Sequence, residues 1–359
     1  MQSQSVLASI NLGALIHNIN ELKKINANAT IISMVKANAY GHGLGGVSRG
    51  IESYVDYFGV ASIDEGILIR KLGINKKIII FSGFFEPSQV AFLNEYKLIP
   101  MLHSKYQLTM LGNFFQETVT EIWLKVNTGM NRLGFEPDDF DEIYGVISSK
   151  YTKCDIGVIT HFAESEVISS LFTKKQISRF SNIIEGKNLT YIGANNSAGI
   201  LNNLCCDICC NIIRPGISLF GVSNVSIKHT LMPVMTLKAY VIAINYIKKG
   251  ESIGYNCAYI ASKNMKIAVI SIGYGDGYPY CAPVNTPVLI RNHRCALVGK
   301  VSMDMITVDI TDYNDITEQD VVTLWGDKLR VEEIAKFIGT SPYALLSGVA
   351  DRVRREYIN

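Results

Sequence analysis

Ile31-Ile-Ser-Met-Val-Lys-Ala-Asn-Ala-Tyr-Gly-His-Gly43 decides how the rest of the chain is read. Its first five residues make a short apolar run, the pattern of a strand buried on both faces. Lys36 ends that run. A bare ammonium is expensive to bury. A lysine here is therefore either solvent-facing after an ordinary strand, or paired, or employed in chemistry. Desolvation lowers the pKa of an amine, and the neutral amine can form a Schiff base. Gly41 and Gly43 then let the chain turn tightly.

Working outward, similar runs recur at 58–61, 78–81, 99–102, 122–126, 156–159, 191–194 and 211–214, with amphipathic segments between them. Short continuous strands alternating with helices indicate a parallel sheet covered on both faces. With 31–35 there are eight such units, the count of a (β/α)8 TIM-like barrel, expected over residues 1–228. A short strand at 6–10 and a helix marked by Leu12, Leu15, Ile16, Ile19, Leu22 and Ile25 precede it. The pattern changes near residue 225. Apolar stretches at 235–247, 267–272, 288–290, 296–298, 305–310 and 321–324 follow with little helix between them. Turn residues such as Lys248-Lys-Gly250 separate them, which predicts a mostly antiparallel β domain over 229–359. Two short helices are expected within it, at 331–338 and 343–346.

The 359 residues, 48% hydrophobic and 18% charged, suit an ordinary globular protein. A net charge of +2 offers no broad field for nucleic acid or a membrane surface. Met1-Gln-Ser-Gln-Ser5 lacks the basic start and apolar core of a signal peptide, so the expected location is cytoplasmic. Four of the eight cysteines fall in Cys205-Cys206-Asp207-Ile208-Cys209-Cys210. Zinc sites usually draw on a second such cluster or a histidine pair, and the sequence has neither. No metal is expected; these cysteines read as buried, reduced thiols.

In a barrel the chemistry sits at the C-terminal ends of the strands. The unusual residues fall there: Lys36, the stretch Asn127-Thr-Gly-Met-Asn-Arg132, His161, Asn195-Asn196-Ser197 and Arg214-Pro-Gly-Ile217. The loops after the seventh and eighth strands are a common phosphate site of this fold. Ser197 would offer a hydroxyl there, and Gly216 and Ile217 their backbone amides. Taken singly, each residue also has a structural reading. Arg214 could be a rim ion pair, His161 a structural histidine and Tyr40 a core tyrosine with a satisfied hydroxyl.

The ordered set resembles the alanine racemases. Val35-Lys36-Ala-Asn-Ala-Tyr40-Gly-His-Gly43 is similar to their pyridoxal phosphate lysine motif. Trp123-Leu-Lys125-Val-Asn-Thr-Gly-Met-Asn-Arg132-Leu-Gly134, Thr160-His161-Phe-Ala163, Asn196-Ser197-Ala198, Arg214-Pro-Gly216-Ile217-Ser218, Gly254-Tyr255, Ile272-Gly-Tyr274-Gly-Asp-Gly277 and Val301-Ser-Met303-Asp304-Met305 resemble further family segments. The resemblance spans nearly the whole chain. It implies a racemase of L- and D-alanine acting through a pyridoxal 5'-phosphate Schiff base, supplying D-alanine for peptidoglycan. It also implies a homodimer with shared active sites, so the partners are an amino-acid substrate and a second copy.

The same resemblance implies roles. Lys36 and Tyr255 would be the two bases, with Lys36 also holding the cofactor. Tyr40, Asn196, Ser197, Gly216 and Ile217 would serve its phosphate side, and His161 would hydrogen-bond the catalytic tyrosine. Arg214 would face the pyridine nitrogen. A guanidinium has only donors, so that nitrogen would stay unprotonated and side reactions such as transamination would be suppressed. Arg132 would meet the substrate carboxylate, Met303 would line the substrate pocket, and Asp304 and Tyr274 would support the entrance. Lys125 would be a structural lysine, carbamylated by carbon dioxide and holding Arg132.

Three positions depart from the family: Tyr280, Lys300 and Asp351 stand where arginine, arginine and tyrosine are common. They concern the pocket edge, so serine or broad-specificity racemisation on the same scaffold stays open. A decarboxylase of this fold would pair the pyridine nitrogen with a carboxylate, which Arg214 argues against. A non-catalytic cofactor-binding barrel would not need Tyr255 or the β domain.

Overall fold

The structure, a computed structural model, describes residues 6–111, 120–205, 208–226 and 229–359. The expected parallel strands are β2 (Thr30–Met34), β3 (Tyr57–Val60), β4 (Lys77–Ile80), β5 (Leu98–Leu102), β6 (Glu121–Lys125), β7 (Asp155–Ile159), β8 (Tyr191–Gly193) and β9 (Ile212–Ile213). They hydrogen-bond in the order β8-β7-β6-β5-β4-β3-β2-β9. The two ends of that sheet meet. Asn211 N donates to Ile192 O at 3.0 Å, Ile192 N to Asn211 Oδ1 at 2.8 Å, and Arg214 N to Asn195 O at 3.1 Å. These bonds nearly close a barrel, as the eightfold spacing predicts.

The N-terminal end of the barrel is filled by side chains from strands that are not neighbours. Trp123 stacks on Tyr191 with centroids 5.1 Å apart. The Tyr57 hydroxyl and Trp123 Nε1 each donate to the buried Glu121 carboxylate at 3.0 Å, and Lys77 pairs with it. Gly157 makes this possible, because a Cβ there would stand 2.6 Å from the Trp123 ring. A packed floor leaves the chemistry to the opposite, C-terminal rim.

A second unit contains the described residues up to Leu15, Tyr40–Gly43 and Met232–Asn359. Its strands are β1 (Val6–Asn11), β10 (Met235–Ile247), β11 (Ser252–Ile253), β12 (Tyr259–Ile260), β13 (Met265–Ile270), β14 (Pro287–Ile290), β15 (His293–Val298), β16 (Ile306–Asp309), β17 (Val321–Trp325) and β18 (Arg354–Ile358). The larger sheet runs β13-β16-β15-β14-β17-β10-β1-β18, and β10 also pairs with β13. Every pair in it is antiparallel except β1 with β18. The long strand β10 changes register between Val241 and Ala243 and between Leu237 and Lys238, which lets one strand serve several neighbours. The helices Val331–Ile338 and Pro342–Ser347 fall where the sequence puts them.

The domain boundary differs in two ways from a simple cut at 228/229. It falls between Leu231 and Met232, and residues 227–228 lie outside the described part. The first strand also groups with the C-terminal unit, because its backbone pairs with β10 and β18. Tyr40–Gly43 joins the same unit through Arg355 Nε, which donates to Gly41 O at 3.2 Å.

Candidate active site

Lys36 stands immediately past β2, and the chain behind it coils the wrong way. Ala37, Asn38, Ala39 and Tyr40 have φ values of 53°, 54°, 53° and 51°, a left-handed turn of four non-glycine residues. Each L-residue in that conformation costs about 1–2 kcal/mol. Three bonds hold the turn. Ala37 N donates to Glu65 Oε1 at 2.7 Å, Ala39 N to Val35 O at 2.8 Å and Leu44 N to Asn38 Oδ1 at 2.7 Å. Gly41 and Gly43, at φ 81° and 93°, complete it. Burial, and after it the Arg132 charge, pulls the Lys36 amine below the ordinary lysine range, while Glu65 opposes them.

Lys125 ends β6 and is buried. Its pKa falls to about 8, first through burial and then through Arg132, Arg214 and Lys36. The exposed Arg132 sits on a loop that folds back onto the strand, Phe135 N donating to Lys125 O at 2.8 Å. His161 follows β7. Burial first, then Arg214, Lys125, Arg132 and Lys36, depress its pKa to about 2. It is therefore a neutral ring at physiological pH, and positive charge at this rim comes from the arginines and lysines. Thr160 beside it accepts from Arg214, and its hydroxyl hydrogen-bonds Thr128 Oγ1 at 2.7 Å. The barrel thus gathers Lys36, Lys125, Arg132, His161 and Arg214 at one end.

Arg214 is buried, and burial lowers its pKa to about 10, so it stays cationic at neutral pH. Its Nη2 donates to Thr160 O at 2.6 Å and Ala194 O at 3.1 Å. Its Nη1 is buried with no partner in the protein. An orphaned buried donor is costly, and an unprotonated pyridine nitrogen is an acceptor that would satisfy it. Ser197 Oγ receives Gly216 N at 2.9 Å, Ser218 N at 3.3 Å and the Ser218 hydroxyl at 3.1 Å. Such convergent donors suit phosphate oxygens. The residues present therefore fit pyridoxal 5'-phosphate. Ile217 is buried in the same turn. Asn196 caps the short helix Ser197–Leu201, its Oδ1 accepting from Gly199 N at 3.0 Å and Ser165 Oγ at 2.7 Å.

The remaining expected residues lie in the β unit. Tyr255 is 68% exposed in the single chain. The segments carrying Tyr274 and Met303 are strapped together, Tyr274 N to Ser302 O at 3.0 Å and Gly275 N to Met303 O at 2.8 Å. Arg352 donates to Asp276 Oδ1 at 2.8 Å and to Asp304 Oδ1 at 2.7 Å, which fixes the Asp304 carboxylate. The Tyr274 and Tyr280 rings meet edge to face, 5.6 Å apart. The buried Tyr40 ring lies 6.2 Å from that of Tyr343.

Three contributors were missed by the sequence reading: Glu65, Ser218 and Arg352. Ser62-x-x-Glu65 is a legible capping box, but nothing local says that its carboxylate also reaches Ala37. Ser218 was visible only as a neighbour of Gly216. Arg352 left no signal, since its partners are 76 and 48 residues away. The cysteine cluster departs from the expectation of burial. Cys205 is buried but Cys209 is exposed in a turn, and Cys206 lies outside the described residues. Among the described residues no group of His, Cys, Asp and Glu could hold a metal ion.

Comparison with known proteins places this arrangement. Residues 10–224 match the family model for the alanine racemase N-terminal domain, and residues 234–357 that for the C-terminal domain. The chain is 38% identical to an alanine racemase of Mannheimia succiniciproducens over 352 residues, covering 96% of this chain and 97% of that one. It superimposes on the biosynthetic alanine racemase of Pseudomonas aeruginosa with a TM-score of 0.94 at 32% identity, covering 99% and 100% of the two chains. It is also similar to an alanine racemase from Bartonella henselae solved with covalently bound pyridoxal phosphate, with a TM-score of 0.89 at 27% identity over 99% and 100%.

Proposed function

The chain belongs to the alanine racemase family and interconverts L- and D-alanine with pyridoxal 5'-phosphate, and we propose that Lys36 and Tyr255 are its two bases. The observation that carries the assignment of the barrel residues is the buried, unpartnered Nη1 of Arg214 on the same rim as Lys36. When bound, the cofactor supplies a carbonyl for an amine and an electron-withdrawing ring beside the substrate Cα. Lys36 holds the cofactor and exchanges a proton with one face of Cα; its lowered pKa keeps more of the amine neutral. Tyr255 serves the other face. Arg132 takes the substrate carboxylate, and neutral His161 offers the tyrosine oxygen a hydrogen bond. Tyr40, Asn196, Ser197, Gly216 and Ile217 hold the phosphate side; Met303, Asp304 and Tyr274 shape the entrance.

Two chains form a homodimer in this reading, each supplying Tyr255 to the other's barrel. Tyr255 is too exposed in the single chain to be an ordinary packed residue. No described helix is long and apolar enough to cross a membrane; a cytoplasmic role in supplying D-alanine for peptidoglycan is part of the same reading. Racemisation of a panel of L-amino acids, alanine and serine included, tests it together with the visible absorbance of the bound cofactor. Borohydride should fix the cofactor to Lys36. Fixation on another lysine would sink the assignment.

Lys125 is proposed to be carbamylated. The ammonium first gives up one proton; the neutral amine then attacks carbon dioxide, a nitrogen–carbon bond forms and a second proton leaves, so that a cation has become an anion beside Arg132. Two bare cations about 4 Å apart would instead repel by about 1–4 kcal/mol between water and a protein surface. The amine must be neutral to react, and its pKa is lowered to about 8, so the modification should grow as pH rises through that value and decline as pH falls below it. Mass spectrometry from non-acidic buffer should show one added carbon dioxide on the peptide holding Lys125. An unmodified mass at every pH, with a plain ammonium in high-resolution density, would remove this role.

A further inference from the structure

We infer that Asn127, together with Glu136, is the positioning centre that sets Arg132 for the substrate carboxylate. The inference rests on the proposed role of Arg132. The carboxamide of Asn127 spends all of its ordinary hydrogen-bonding capacity inside one short loop. Its Oδ1 accepts from Gly129 N at 3.1 Å and from Asn131 N at 3.0 Å. Its Nδ2 donates to Asn131 Oδ1 at 3.0 Å and to Glu136 Oε1 at 3.0 Å. The loop needs such a clamp. Gly129 has φ 135°, Asn131 sits left-handed at φ 56°, and Arg132 follows directly.

The backbone of Asn127 adds a second anchor. Its N–H donates to Phe135 O at 2.9 Å, and Phe135 N returns to Lys125 O at 2.8 Å. The first bond joins the two ends of the Arg132 loop, and the second ties its far end to β6. Glu136 makes the clamp directional. Its carboxylate accepts only from a donor, so it orients the amide with Nδ2 outward and Oδ1 toward the loop amides. Asn127 and Glu136 line a cavity of about 450 Å³, so a changed side chain there meets open space rather than a clash. Effects of substitution are then electrostatic and conformational.

The test uses the full-length holoenzyme. Asn127→Asp keeps both acceptors but loses both donors, and faces the Glu136 carboxylate. Like-charge repulsion near 4 Å at a protein surface should raise KM for alanine about tenfold or more while kcat changes less. Adding Glu136→Gln restores a donor, and N127D/E136Q should bring KM back to within about threefold of wild type. Asn127→Ala should speed amide exchange at Gly129 and Asn131 about tenfold or more, since both lose their acceptor. Arg132→Ala is measured alongside, with thermal scans to show that all variants fold.

An N127D enzyme with native KM, or a double variant no better than N127D, overturns the inference when R132A itself raises KM. Should R132A leave KM unchanged, the reading of Arg132 is the one that fails. Exchange at Gly129 and Asn131 then decides whether Asn127 orders the loop. Native exchange rates in N127A overturn that as well.

Discussion

Lys36→Ala and Tyr255→Phe should each lower racemisation by about 10²–10⁴-fold or more, the usual contribution of a positioned acid–base group. Remixing the two dead variants should return about a quarter of wild-type activity. The arithmetic follows from pairing. Random association of two chain types makes half the dimers mixed. A mixed dimer has one site carrying both lesions and one with native Lys36 and native Tyr255. Half the dimers with half their sites intact gives a quarter.

Lys36 has a support of its own: a left-handed turn fixed by Glu65 and Asn38. Tyr255 has one of its own, since Gly254, Asn256 and Cys257 flank it at φ 78°, 60° and 50°. In the proposed dimer, positive charge beside the partner's Tyr255 would come from Arg132 rather than from His161, which stays neutral. If the remixed sample is as inactive as its parents, while mass measurement confirms mixed dimers, Tyr255 does not act across an interface.

Arg214→Glu should lower kcat for racemisation by about 10²–10³-fold, the usual effect of losing one preorganised donor at a reacting group. It should also convert bound cofactor to its amine form during turnover. The native guanidinium can only donate, so a facing ring nitrogen must accept and the ring remains a modest electron sink. A carboxylate would instead favour the protonated ring, which prolongs the carbanion and gives transamination time to compete. Arg214→Lys should also fail, because a single ammonium cannot span Thr160 O and Ala194 O while reaching toward the ring. Both variants leave carbonyls unsatisfied, at about 1–3 kcal/mol each, so thermal scans must first show a folded protein. Loss of the largest nearby cation should also let His161 titrate at higher pH. An R214E enzyme that racemises at the native rate and accumulates no amine form would refute the assignment.

Several features were determined by the sequence alone. The eight parallel strands lie within a few residues of their apolar runs, since a strand covered on both faces must be apolar along its length. The helix Val331–Ile338 and the long strand β10 were legible for the same local reason. The site residues were nameable because motif and strand end coincide at Lys36, His161 and Arg214. Tertiary structure decided the rest. Glycines 41 and 43 announced a turn, but Ala37 and Ala39 carry no preference for the left-handed conformation; a carboxylate 28 residues away holds it. The short N-terminal run reads as a strand in any fold, and only pairing with β10 and β18 assigns it to the C-terminal sheet. His161 looks like any titratable histidine until burial, and after it the Arg214 charge, makes it neutral. Asn127 is one more polar loop residue until its four side-chain hydrogen bonds are in place. Apolar periodicity is a property of neighbours in the chain, whereas pairing, desolvation and charge depend on groups that only folding brings together.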